Sequence, residues 1–156
     1  MSAFFYYASF PNSRNAQRSA TKQASTYQKE LFDYTLPLTR IADASLNRTY
    51  VTLENFSQAN SIFYLYADTI NVDPTVTPTF GVTTALIYND VSNTVYQKQD
   101  DGLNTNWLVI APEDVAELIF PGASATLDAL QDVYAFVNSA IPIVPSVFVG
   151  IDAGRG

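Results

Sequence analysis

The 156-residue chain carries 8 Lys+Arg against 15 Asp+Glu, with no His and no Cys, for a net charge of −7. Those two absences exclude Ser-His-Asp and Cys-His catalysis, zinc fingers, haem held by His or Cys, and disulfide frames. Only 15% of residues are charged while 13% are aromatic, against about 25% charged in ordinary soluble domains, which predicts a β-rich chain with neutral surfaces that partners tend to cover.

The length suits one domain and an arm. Residues 1–34 hold four basic residues against two acids, a net of +2, and residues 35–156 a net of −9. Composition shifts at the same place, from Ser, Gln, Asn and aromatics to alternating Val, Ile, Leu and Tyr. The predicted organisation is an N-terminal docking arm over 1–34, a β-sandwich over 35–150 and a flexible tail over 151–156. Phe4, Phe5, Tyr6, Tyr7 and Phe10 crowd the first ten residues. Exposed on a monomer they invite aggregation, so they either fold back or bury against a partner. Arg14, Arg18 and Lys22 recur every four residues and would form one basic stripe on a helix. The eight residues from Phe4 to Lys22 just named are the candidate partner-docking set. The alternative is a solvated linker with some helical tendency.

Along the body, Arg48–Glu54 and Ser61–Tyr66 read as two strands joined as a hairpin through Asn55–Asn60. Asp68–Thr79, with Pro74 and Pro78, reads as a loop. Gly81–Tyr88 and Thr94–Lys98 read as strands about a turn at Asn89–Asn93, and Asn106–Ile110 as another after a turn at Asp100–Asn104. Asp114–Phe120 fits either a helical turn or a strand, and Pro121-Gly122 is a turn. Asp132–Val137 is a strand, and Val144–Val149, with Pro142 and Pro145 beside it, is expected at a sheet edge. About eight short strands with turns between them and no long amphipathic helix predict an all-β, antiparallel, jelly-roll-like sandwich with an extended, partly helical N-terminal arm.

Catalytic chemistry finds little purchase, and the chain is expected not to be an enzyme. Glu54 and Glu117 are the only plausible carboxylate pair, and a glycosidase needs two carboxylates within about 10 Å across a sugar. Asp100–Asn106 offers oxygen ligands without EF-hand spacing and reads as a hairpin tip. Gly150–Gly156 is not a dinucleotide fingerprint. No metal and no cofactor are expected. Asn47-Arg-Thr49 and Asn55-Phe-Ser57 are sequons by chance, since the N-terminus lacks the features of a signal peptide. No apolar run is long enough to span a membrane, and nucleic-acid binding is disfavoured by the acidic body.

Arg48–Asn55 followed by Ser61–Tyr66, with the later Pro121-Gly122 turn and Asp132–Ala135 strand, resembles small β-sandwich structural proteins of tailed-phage virions, of the head decoration, cement or head-fibre base type. The resemblance spans residues 48–144 at most and includes no catalytic residue. It implies a non-enzymatic virion protein, made in the host cytoplasm, that docks on a major capsid or other shell protein and self-associates, a trimer being implied by the resemblance alone. On this reading the arm and the Arg48 end of the sandwich face the partner. The alternative is a carbohydrate- or receptor-binding module of a phage tail or fibre, with Tyr64, Tyr66, Tyr88, Tyr96 and Trp107 as candidate stacking rings.

Overall fold

The computed structural model describes residues 22–32, 37–76, 85–100 and 105–152. Among them, eleven strands form two sheets. They are β1 (Lys22–Gln28), β2 (Thr39–Ala42), β3 (Arg48–Glu54), β4 (Ile62–Ile70), β5 (Leu86–Asn89), β6 (Thr94–Asp100), β7 (Thr105–Ile110), β8 (Glu117–Ile119), β9 (Ser124–Leu127), β10 (Asp132–Val137) and β11 (Ser146–Asp152). A single helical turn, α1 (Pro112–Val115), starts on a proline, whose missing N–H costs nothing there.

One sheet runs β1-β11-β3-β9 and the other β2-β10-β4-β5-β6-β7, with β8 also on β4. Set β5, β6 and β7 aside and the pairing becomes simple. β1 pairs β11, β2 pairs β10, β3 pairs β9 and β4 pairs β8, all antiparallel. A long two-stranded ribbon rolled up so that β11 meets β3 and β10 meets β4 gives this order, which is that of a jelly roll. The β5–β7 meander is an insertion between β4 and β8. It joins the sheet through a short parallel contact, Asp68–Ile70 against Ile87–Asn89, so this sheet is mixed.

The alternation of the sequence accounts for the core. Val51 and Leu53 of β3, Val147 and Val149 of β11, Ile62 and Tyr64 of β4, and Val133, Ala135 and Val137 of β10 meet between the sheets. β10 is buried along its whole length. Its other face, Tyr134 and Phe136, packs against Leu65, Tyr88 and Val95, so the inserted meander covers the back of β10. Phe63 stacks on Phe136 with ring centroids 5.0 Å apart, and Tyr88 tilts against Tyr134 at 4.7 Å. A strand covered on both faces needs an unbroken apolar run, which Val133–Val137 supplies.

Several expectations are corrected. β3 and β4 are not a hairpin: they lie in different sheets, and the 55–61 connection crosses between layers. β4 continues through Asp68, Thr69 and Ile70, which the proline-rich stretch had placed in a loop. β11 is a central strand between β1 and β3, because Pro142 and Pro145 precede it and remove no donor from its ladder. Asp114–Phe120 holds both alternatives in succession, the end of α1 and then β8. The sandwich also starts earlier and ends later than the composition shift suggests. Residues 22–28 pair along β11, Leu31 is in the core, and β11 runs to Asp152. Lys22 therefore begins a strand, so a helical stripe does not continue through it. The other seven docking candidates, Phe4, Phe5, Tyr6, Tyr7, Phe10, Arg14 and Arg18, lie outside the described residues.

Candidate docking surface

The two ends of the sandwich differ in chemistry. At one end lie the 55–61 crossing, the 120–123 turn and the 138–145 connection. The ladder places them together: Glu54 pairs with both Ser146 and Ser124, and Ile62 with both Val137 and Ile119. Leu31 bridges Ile143, which brings the residues after β1 to the same end.

Asn55 organises this end. It is fully buried, and its side-chain amide donates to the carbonyls of Asn60 (2.8 Å) and Ile119 (3.0 Å), while its Oδ1 accepts from the Ser57 N–H. Its backbone is tied to Ala123 and Gly122. The Asn55 amide nitrogen is thus committed inside the fold, which rules this sequon out as a glycan carrier in the folded chain. Phe120 to Ala123 form a turn closed by a 3.0 Å hydrogen bond, with Pro121 second and Gly122 at φ +77 third, the arrangement only glycine adopts freely.

On this locked framework large apolar side chains point outward. Phe56 is 59% exposed, Phe120 64% and Ile141 72%, with Phe32 and Val144 also exposed. Five exposed apolar residues from four chain segments thus share one end. Phe56 also borders a cleft of about 510 Å3 whose single charged lining residue is Glu54. Leu108 and Val109 on β7 are exposed as well.

The opposite end is built around buried charge and exposes aliphatic side chains. Arg48 is buried, and its guanidinium donates to the backbone carbonyls of Asp43, Ala129 and Gln131. Burial pulls the Arg48 pKa down, against the opposing pull of Asp132, Tyr27 and Asp43. Asp132 accepts the Ala44 N–H at 2.6 Å and the Thr69 hydroxyl, and Arg40 lies 3.9 Å from it. Leu46 and Leu130 are exposed here, beside Asp68 in a shared pocket, and so are Val72, Val76 and Val91 in the connections that leave β4 and β5. Both ends therefore expose apolar side chains, the rings of Phe32, Phe56 and Phe120 at one end and aliphatic Leu and Val at the Arg48 end, which the sequence reading turned toward the partner.

On the flank, Tyr64, Tyr66, Glu117, Thr126, Asp128 and Gln131 line a cleft of about 290 Å3 between the sheets. The Tyr64 hydroxyl donates to Glu117 Oε1 at 3.0 Å. Burial, then that hydrogen bond, push the Tyr64 pKa up to about 12, so the hydroxyl keeps its proton at neutral pH. Of the five stacking candidates, Tyr64, Tyr88, Tyr96 and Trp107 are buried, and only Tyr66, at 40%, presents its ring. Glu54 and Glu117 line different clefts, so the structure does not bring this pair together around one substrate. Among the described residues no three acidic, His or Cys groups converge as a metal site, and the Asp100–Asn106 tip lies largely outside them.

The Phe56 end was missed by the sequence reading because its residues sit in turns, outside the periodic segments. The available signal was the presence of Phe56, Phe120 and Ile141 beside Asn, Pro and Ser, where turns ordinarily carry polar side chains. No protein-family model, curated protein or solved structure matches the chain.

Proposed function

We propose that this chain is a non-enzymatic structural protein that docks on a virion shell protein through its Phe56 end and its N-terminal segment, and so decorates or stabilises the particle. The observation that carries the docking reading is the set of exposed apolar residues gathered on the Asn55-locked end. Such a concentration on a rigid frame is what interaction surfaces present. The virion assignment rests on the resemblance of residues 48–144 to phage structural sandwiches. The N-terminal segment adds five aromatics, Arg14 and Arg18, and no acid before Lys22. Those residues span up to about 70 Å when extended. β1 covers about 24 Å of the sandwich, so the segment is long enough to reach either end.

The test uses the full chain and particles from which it has been removed. Burying the rest of Phe56 and Phe120 is worth roughly 1–2 kcal/mol each. The double variant Phe56→Ser/Phe120→Ser is expected to reattach roughly 100-fold more weakly, with its melting temperature little changed. Reattachment equal to that of the unaltered chain would contradict the docking role of this end.

A second reading, a carbohydrate- or receptor-binding module, is favoured by the exposed Tyr66 ring over the flank cleft.

A further inference from the structure

The flank cleft exists because of how the strands end. β8 pairs β4 only over Ile62–Tyr64, and β5 pairs it only over Asp68–Ile70. Between them, at Leu65–Ala67, this edge of β4 has no strand neighbour among the described residues. In the facing sheet β9 is only four residues long. The cleft opens beside Tyr66, between β4 and β8 on one side and the residues of and after β9 on the other.

The lining has a specific chemistry. Tyr66 lines the opening and is 40% exposed, so it brings an aromatic side chain to it. Glu117 is held by the Tyr64 hydroxyl through Oε1, which leaves most of the carboxylate's acceptor capacity for a ligand. Asp128 and Thr126 add further oxygen atoms, and no Lys or Arg lines the cleft. The volume, about 290 Å3, is at the small end of ligand pockets and suits a single six-membered ring.

We infer that this cleft binds one residue of a neutral sugar, with the Tyr66 ring against the sugar's C–H face and the Glu117 and Asp128 carboxylates accepting hydrogen bonds from its hydroxyl groups. A pyranose has an apolar face and a rim of donors, and the cleft supplies a ring and a rim of acceptors. Acidic sugars are rejected, because their carboxylate would face Glu117 and Asp128 without a compensating cation. The inference rests on the second functional reading and is independent of virion docking.

The experiment is a saturation-transfer NMR titration of the full chain with the methyl glycosides of glucose, galactose and N-acetylglucosamine, and with N-acetylneuraminic acid. Binding of at least one neutral glycoside in the millimolar range is expected, with none of the acidic sugar. Tyr66→Ala and Glu117→Gln are each expected to weaken it roughly tenfold or more. Asp90→Asn, in the distant 90–93 turn, is expected to leave it unchanged. Absence of binding by every neutral glycoside would overturn both the inference and the reading beneath it. Binding that survives Tyr66→Ala and Glu117→Gln would overturn this site while leaving the reading. Equal binding of N-acetylneuraminic acid would overturn the assigned sugar class.

Discussion

Arg48 holds three backbone carbonyls from two separate connections, Asp43 in one and Ala129 and Gln131 in the other. Its guanidinium presents a rigid fork of donors that no other side chain reproduces. Truncation leaves those carbonyls short of donors inside the fold. Arg48→Ala is therefore expected to cost about 3 kcal/mol. In thermal unfolding that corresponds to a drop of roughly 10 °C, and Arg48→Lys should recover only part of it. A loss below about 1 °C would mean that the carbonyls find other partners. A second residue at this end works in the opposite sense. Asp68 is half-buried, and burial, then the neighbouring Asp132 carboxylate, hold its carboxyl above the ordinary Asp range. A folded-state pKa raised in this way favours the protonated form, so the contribution is most favourable at low pH and is lost as pH rises through the shifted value. Asp68→Asn is expected to melt higher than the unaltered chain at neutral pH, with the advantage shrinking as pH falls into the ordinary Asp range. Melting temperatures across that window check this, and parallel curves would refute it.

At the scale of elements, legibility in the sequence followed chemistry. β3 and β10 were readable to the residue, because Val51 and Leu53 alternate with half-exposed partners and Val133–Val137 is an unbroken apolar run. β1 and β9 were not, because Gln-Ala-Ser-Thr-Tyr-Gln and Ser-Ala-Thr-Leu carry little apolar area and lie on the outer edges of their sheet. β2 is four residues long and carries Arg40, so no periodicity could announce it. Partner choice was the larger gap. Alternation identifies a strand and its inward face, but the β3–β4 connection could close a hairpin or cross between sheets with the same pattern. Asn55 decides it, since its amide ties the crossing to Ile119 and Asn60 across the end of the barrel-like roll. Gly150 marks another pairing invisible in sequence. It lies opposite Tyr50, whose ring occupies the space a Cβ would need. The flank cleft was half legible: Tyr64 and Tyr66 were named, but Glu117 joined them only through the β4–β8 ladder.

For the whole molecule, the rolled ribbon leaves an Arg48-clamped end with exposed Leu and Val side chains and an Asn55-locked end with exposed Phe rings, with the cleft on the flank between them. The difference gives the molecule a direction. Attached by its Phe56 end, it would keep the Arg48 end and the flank open to solvent. The acidic body, net −9 over residues 35–156, would repel acidic surfaces, so a fitting docking ground gives the body apolar area and keeps its negative charge opposite Arg14 and Arg18. A jelly roll is compatible with many roles, so position on a particle has to be measured and is not implied by the fold. The most direct measurement is quantitative mass spectrometry of density-purified particles from the source culture, counting this chain against the major shell protein. The account predicts that the chain co-purifies at a fixed ratio to the shell protein through repeated gradients. Its absence from the particles would contradict the account and leave the sugar-binding reading in its place.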